Sequence, residues 1–194
     1  YLTNHDQVND IHVTGSDKTH DAIVFGVGEE GARRKANNEP LVTKPVSCEL
    51  GNVSPVVIVP GDWDARDIEY QARHVATMIS NNAGFNCLTP RVIVTSQKWA
   101  QREEFLAALE ATLATLPTRR AYYPGATDRH ASFLREYPNA RVIGSASDGE
   151  LPWTLIRDLD SKKKKDIAFR SEAFCGLFGE TALDAKDTSD FISK

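Results

Sequence analysis

A thiol and a carboxylate, each close to a glycine and to an apolar run, are the side chains of this chain best suited to chemistry. Cys87 ends the polar segment 81–87 and precedes the apolar residues 92–94, while Glu49 precedes the apolar run 55–59. A thiolate can attack a carbonyl carbon, and a carboxylate can take a proton from water. We therefore interpret Cys87 as a candidate nucleophile and Glu49 as a candidate base. The alternatives from the residues alone are an inert buried thiol and an exposed loop glutamate.

The elements on either side of Cys87 predict a βαβ unit. The β-branched run 55–59 is typical of a strand that is covered on both faces, and residues 91–95 predict a second buried strand. Between them, apolar residues recur at helical spacing over 65–82, and Gly84 is expected to end that helix. Strand, helix and strand in this order predict parallel pairing, with Cys87 in the turn before the second strand. A partly buried Glu49 is then expected at the same sheet edge as the thiol.

Similar patterns predict the remaining elements, and together they indicate an α/β protein. Asp62 or Asp64 can cap the helix over 65–82. Residues 26–31 are expected to form a flexible loop, and residues 32–40 an irregular polar segment. The other predicted elements are a strand over 8–16, a helix beginning within 19–25, helices over 99–116 and 127–136, and strands over 140–144 and 153–159.

Composition excludes several functional classes. The formal net charge of −4 over 194 residues favours neither nucleic acid nor an anionic membrane as a partner. The three cysteines, Cys48, Cys87 and Cys175, are widely spaced, which predicts neither a disulfide framework nor a metal site and suits a cytoplasmic location. No apolar run approaches the length of a membrane helix. Because the chain starts at Tyr1 and its only methionine is Met78, we expect processing or a longer parent protein.

Four segments in the same order resemble motifs of the aldehyde dehydrogenase superfamily. Residues 49–55 read Glu-Leu-Gly-Asn-Val-Ser-Pro and resemble the family's Glu-Leu-Gly-Gly-x-Ser-Pro motif, and residues 82–87 resemble its Asn-x-Gly-Gln-x-Cys segment. Residues 13–16 resemble its Phe-Thr-Gly-Ser turn, and residues 172–174 resemble the start of its Glu-x-Phe-Gly-Pro motif. The resemblance implies an aldehyde dehydrogenase-like catalytic domain over 47–194, with a largely parallel sheet flanked by helices. It also implies a remnant of the Rossmann-like cofactor domain over 1–46.

The resemblance also implies a reaction. Cys87 would be the nucleophile that forms a thiohemiacetal and then a thioester, and its backbone N–H would be an oxyanion donor. Glu49 would activate the water that hydrolyses the thioester. Five residues match the family's cofactor contacts: Gly15 and Ser16 near the pyrophosphate, Leu50 near the nicotinamide amide, and Glu172 and Phe174 at the nicotinamide ribose. The implied cofactor is NAD or NADP, the substrate is a small aldehyde, and the parent enzyme is a homo-oligomer.

The sequence departs from the family motifs at several positions, and other functions are therefore kept as alternatives. Asn52 and Phe85 replace a glycine and a glutamine of the motifs, and Cys175 and Gly176 stand where Gly-Pro is expected, which indicates a divergent branch. The family's second oxyanion donor, an asparagine, and its cofactor-binding lysine are expected upstream of this chain. We therefore expect the isolated chain to bind dinucleotide weakly and to be inactive. The alternatives are a coenzyme A-acylating aldehyde dehydrogenase and a non-catalytic scaffold or interaction module.

Overall fold

The computed structural model describes all 194 residues and divides into two compact units, Tyr1–Gly51 and Asn52–Lys194. The division falls after Gly51 because the strand Val46–Leu50 pairs with a strand near the start of the chain. The predicted boundary after residue 46 placed that strand in the second domain. The origin of the first unit as a remnant of a cofactor domain stays a prediction.

The first unit is built on a two-stranded parallel sheet. After a 3₁₀ turn at Leu2–Asn4, its elements are β1 (Ile11–Gly15), α1 (Asp17–Val24), α2 (Gly28–Asn37) and β2 (Val46–Leu50). The sheet register runs from the pair Ile11 and Val46 to the pair Gly15 and Leu50. The predicted strand over 8–16 and the helix that follows it are therefore confirmed.

Helix α2 corrects the prediction of a flexible loop over residues 26–31 and an irregular segment over residues 32–40. Its surface is polar and only Gly31 is buried, so no apolar periodicity marks it. Glu30 instead accepts ion pairs from Arg33 at 2.8 Å and from Arg34 at 2.9 Å, one helical turn away. Gly31 allows the helix to approach the preceding turn, since a Cβ there would lie 2.2 Å from the Gly26 carbonyl oxygen.

The second unit contains a five-stranded sheet in the order β3-β4-β9-β8-β6, in which only β6 is antiparallel to its neighbour. A two-stranded antiparallel sheet joins β5 and β7. The elements are β3 (Pro55–Val57), α3 (Ala65–Ser80), β4 (Val92–Ser96), α4 (Arg102–Thr115), β5 (Arg119–Arg120), α5 (Ala126–Glu136), β6 (Arg141–Ile143), β7 (Glu150–Leu151), β8 (Trp153–Ile156), α6 (Ile167–Arg170), β9 (Leu177–Leu183) and α7 (Thr188–Ser193). The predicted parallel βαβ unit is confirmed in β3, α3 and β4.

Two apolar clusters fill the second unit. In the first cluster, α3 and α4 pack together and bury the faces that their spacing predicts, including Ile68 and Ile79 of α3 and Leu109 of α4. Helix α3 begins at a capping box, because the Asp64 carboxylate accepts the N–H of Asp67 and the Asp67 carboxylate accepts that of Asp64. The second cluster surrounds α5 and the start of β9. No helix is both long enough and apolar enough to cross a membrane.

Strand β3 differs from its prediction. It was expected to be covered on both faces, but it lies at the edge of the five-stranded sheet. Val57 is consequently 54% exposed and Val59, just beyond the strand, is 39% exposed. A continuous β-branched run therefore does not separate an edge strand from a central one.

Candidate active site

The first unit brings together three of the five residues predicted to contact the cofactor. Gly15 and Leu50 are register partners at the carboxyl ends of the parallel strands, and Ser16 follows directly as the N-cap of α1. The Ser16 hydroxyl oxygen accepts the Thr19 N–H at 3.1 Å. A Cβ at Gly15 would meet no atom within 4 Å, so open space lies over this backbone position. Carboxyl ends of parallel strands are where α/β proteins bind ligands.

Glu49 lies on β2 rather than in a loop, opposite Thr14 of β1, and its side chain is exposed rather than partly buried. It belongs to the two-stranded sheet, whereas Cys87 precedes a strand of the five-stranded sheet. The expectation of one shared sheet edge is therefore wrong, because β2 pairs with β1 and not with β3. The pairing of Glu49 with Cys87 stays a prediction.

Cys87 lies in an exposed loop at the amino end of β4. Helix α3 ends at Ser80, earlier than predicted, and a 3₁₀ turn follows at Asn81–Gly84. Within that turn Asn82, Ala83 and Gly84 have positive φ angles of 49°, 55° and 78°. Three left-handed residues in succession reverse the chain sharply, and they place the thiol outside the helix.

Side-chain hydrogen bonds hold the loop from within. The Asn82 amide donates to the Phe85 carbonyl and to the Asn86 side-chain oxygen, both at 3.2 Å. The Asn86 amide in turn donates to the Asn81 side-chain oxygen at 2.8 Å. From outside the loop, the Ser54 hydroxyl lies 3.2 Å from the Cys87 carbonyl oxygen, and its shorter hydrogen bond goes to the Asn52 side-chain oxygen. The asparagine-rich segment therefore fixes its own backbone, as polar turn residues do.

A buried arginine beneath the loop joins it to the segment 172–176. Arg91 is 3% exposed, and its Nη1 donates to the Cys175 carbonyl at 2.6 Å. Its Nη2 donates to the Gly84 carbonyl at 2.8 Å and contacts the Asn86 carbonyl at 3.4 Å. Burial lowers the pKa of Arg91 from its usual value, since the charged form has lost water.

Glu172 and Phe174 lie on the segment that Arg91 holds. One Glu172 carboxylate oxygen, Oε1, is buried without a hydrogen-bond partner and lies 3.9 Å from Arg91 Nη2. Burial raises the pKa of Glu172, while Arg91 opposes the shift. Phe174, at φ 45°, contacts Phe85 with ring centroids 5.9 Å apart. The second unit therefore brings the predicted residues Cys87, Glu172 and Phe174 into one region.

Two features of this region escaped the sequence prediction. Arg91 was expected only as the first residue of a strand, although an arginine adjoining a buried apolar strand must find polar partners. No motif marks Tyr122 and Tyr123, yet they pack on Phe85 at centroid distances of 4.9 and 6.0 Å. The replacement of a motif glutamine by Phe85 was the available signal for an aromatic cluster.

The two cysteines of the second unit differ in their access to solvent. Cys87 is exposed, whereas Cys175 is fully buried and burial raises the pKa of its thiol. A buried thiol of raised pKa is a poor nucleophile. Of the two cysteines of the second unit, Cys87 is therefore the one that can react with a molecule from solvent.

Comparisons with known proteins identify the family of this chain. The model of the aldehyde dehydrogenase family matches residues 1–129. A search of curated proteins finds no match. Aldehyde dehydrogenase C from Pseudomonas syringae, in complex with NAD⁺ and octanal, shares 16% identity at a TM-score of 0.72, covering 99% of this chain and 39% of that chain.

Two further solved structures have the same fold. Betaine aldehyde dehydrogenase from Staphylococcus aureus, in complex with NAD⁺, shares 16% identity at a TM-score of 0.70 and covers 98% of this chain and 37% of that one. NADP-dependent glyceraldehyde-3-phosphate dehydrogenase from Bacillus halodurans, in complex with NADP, shares 15% identity at a TM-score of 0.68, with 98% and 38% covered. The chain thus spans less than half the length of these relatives. The likeness confirms the predicted α/β fold, and the family match over most of the sequence shows that this chain belongs to the aldehyde dehydrogenase family.

Proposed function

We propose that this chain carries the nucleophile and part of the cofactor site of an NAD(P)-dependent enzyme that oxidises an aldehyde to a carboxylic acid. The observation that carries the proposal is the exposed Cys87 thiol in its fixed loop, within a chain of the aldehyde dehydrogenase family. The solved relatives in complex with NAD⁺ or NADP support the choice of cofactor.

The residues present fit a nicotinamide dinucleotide. Glu172 keeps a buried oxygen without a donor, which suits it to accept a hydrogen bond from a hydroxyl such as that of a ribose. The open space over Gly15 lets a phosphate group approach the backbone, beside the N-terminus of α1. When bound, NAD or NADP would supply the acceptor for the hydride that leaves the aldehyde carbon.

The residues of the chain would act in three steps. The Cys87 thiolate attacks the aldehyde carbon, a carbon–sulfur bond forms, and the Cys87 N–H donates to the oxygen that gains negative charge. Loss of hydride from that carbon leaves a thioester on Cys87. The Glu49 carboxylate takes a proton from water, the hydroxide attacks the thioester, and the acid departs as the Cys87 thiolate is restored.

The test uses the natural gene product that contains these residues. With an aldehyde panel and NAD⁺ or NADP⁺, we expect reduced cofactor to form, and Cys87→Ala to abolish it while Cys48→Ala, on the same chain, retains it. Glu49→Gln is expected to slow turnover and to accumulate acyl-enzyme. Rescue of that variant by coenzyme A would favour the acylating alternative. Absence of reduced cofactor with every aldehyde would refute the enzyme proposal and favour a scaffold role.

A further inference from the structure

The peptide that joins Asn86 to Cys87 is held on its carbonyl side. The Asn86 carbonyl accepts the N–H of Thr89 at 3.1 Å and faces Arg91 Nη2 at 3.4 Å. The next carbonyl, that of Cys87, lies 3.2 Å from the Ser54 hydroxyl, which donates to the Asn52 side-chain oxygen. Two donors, the Thr89 N–H and Arg91 Nη2, therefore fix the peptide unit that precedes the thiol-bearing residue.

A fixed carbonyl fixes the amide of the same peptide. All peptide bonds of the chain are trans, so the N–H of Cys87 points opposite to the Asn86 carbonyl. Since that carbonyl faces the buried guanidinium, the Cys87 N–H points away from Arg91. It has no hydrogen-bond acceptor within the second unit, so it remains free for a ligand.

A guanidinium is suited to this position. Arg91 reaches carbonyls of two separate segments, at Gly84 and Asn86 on the loop and at Cys175 beyond it. Its planar, multiply donating head can hold several carbonyls at once, which the single ammonium of lysine does poorly. A charged donor on a carbonyl also polarises the peptide, which strengthens the N–H on its other side as a donor.

We propose that Arg91 is a positioning residue that orients and polarises the Asn86–Cys87 peptide, so that the Cys87 N–H stabilises the oxyanion formed when the thiol attacks a carbonyl. The inference deepens the proposed function and rests on Cys87 as the nucleophile. It adds a residue that touches neither substrate nor cofactor and that acts through the backbone of the loop.

The test compares two reactions of Cys87 in the 194-residue chain. Acylation by p-nitrophenyl acetate passes through a tetrahedral oxyanion, whereas alkylation by iodoacetamide displaces iodide and forms none. Both rates are measured in a Cys48→Ser background, with mass spectrometry to place each adduct. For Arg91→Lys we expect acylation to fall about tenfold or more, less than the ~10²–10³ loss on removing an oxyanion donor outright. Alkylation is expected to stay within about threefold, because the thiol remains exposed.

Different results would overturn the role of Arg91 and the role of Cys87 as the nucleophile. Arg157→Lys, which alters a part-buried arginine paired with Glu103, is expected to change neither rate. Equal losses of acylation and alkylation in Arg91→Lys, or no loss in either, would overturn the role of Arg91. In the chain that retains Cys48, acylation of Cys87 no faster than that of Cys48 would instead overturn Cys87 as the nucleophile.

Labelling of the buried Cys175 would reveal whether Arg91→Lys unfolds the chain. In that case a measurement on the wild-type chain tests the inference instead. Amide hydrogen exchange should find the Thr89 N–H protected by the Asn86 carbonyl and the Cys87 N–H unprotected. Protection of the Cys87 N–H would overturn the inference, since an amide bonded within the protein cannot serve an oxyanion.

Discussion

Substitution of Gly84 by alanine is expected to damage the fold and the thiol loop together. Gly84 has a φ of 78°, in the region that disfavours side chains. A Cβ there would lie 2.5 Å from the carbonyl oxygen of Cys175 and 2.9 Å from the amide nitrogen of Gly176. These neighbours are backbone atoms of the segment that leads into β9, so they cannot swing aside as a side chain can.

Two effects determine how much unfolding free energy Gly84→Ala loses. A residue with a Cβ in the left-handed region costs about 1–2 kcal/mol. Relief of the clash must shift the Cys175 carbonyl, which accepts Arg91 Nη1 at 2.6 Å. Loss of a hydrogen bond to a charged group costs about 1.5–3 kcal/mol. Gly84→Ala should therefore lower the free energy of unfolding by about 2.5–5 kcal/mol.

Gly149→Ala is the matched control. Gly149 has a φ of 77°, but a Cβ there would meet no atom within 4 Å. Its loss of unfolding free energy should be only the conformational cost of about 1–2 kcal/mol. Urea unfolding followed by circular dichroism measures both variants, and iodoacetamide labelling of the buried Cys175 reports opening near Gly84. Equal destabilisation by the two substitutions would show that the close approach to Cys175 contributes nothing to the loss of stability.

Three further results are expected. Glu180→Gln should cost roughly 2 kcal/mol of unfolding free energy in urea titrations, because Arg102, which keeps Asp158 as a partner, would lose the fully buried carboxylate that lies 2.7 Å away; a loss no larger than that of Glu30→Gln in an exposed pair would contradict this. Burial lowers the pKa of His130, so the unfolded chain takes up a proton first as the pH falls below about 6.5. Stability should decline with acidification in that range, and His130→Gln should lessen the slope; an unchanged slope would exclude His130 as its source. Asp17 places a carboxylate in the first turn of α1, so Asp17→Asn should tighten NAD⁺ binding roughly twofold to fivefold in calorimetric titrations, and unchanged or weaker binding would argue against a phosphate at that helix terminus.

The sequence predicts helices and strands well where burial places apolar residues at a regular spacing. Helices α3 and α4 carry apolar residues at helical spacing, and those residues form the first cluster of the core. Helix α2 escaped prediction because polar ion pairs and one close glycine contact stabilise it, and neither leaves an apolar stripe. Strand β2 was missed since its central residues Cys48 and Glu49 are exposed and carry no alternation of apolar and polar side chains.

The candidate site likewise has a part that the sequence identifies and a part that it does not. Motif residues such as Cys87 and Glu172 can be identified from their neighbours in the sequence. The partners of Arg91 cannot, because the carbonyls of Gly84 and Cys175 meet only after the chain has folded. Backbone groups also carry no signature in residue type. The contribution of Arg91 therefore became visible only in the structure.

The most direct test of Cys87 as the nucleophile is to trap the acyl group on it. The Glu49→Gln gene product is mixed with NAD⁺ or NADP⁺ and a panel of aldehydes that includes octanal, quenched in acid, digested and analysed by mass spectrometry. We predict a thioester on the Cys87 peptide that forms only when oxidised cofactor is present. No adduct with any aldehyde, or an adduct that forms on Cys48 instead, would contradict it.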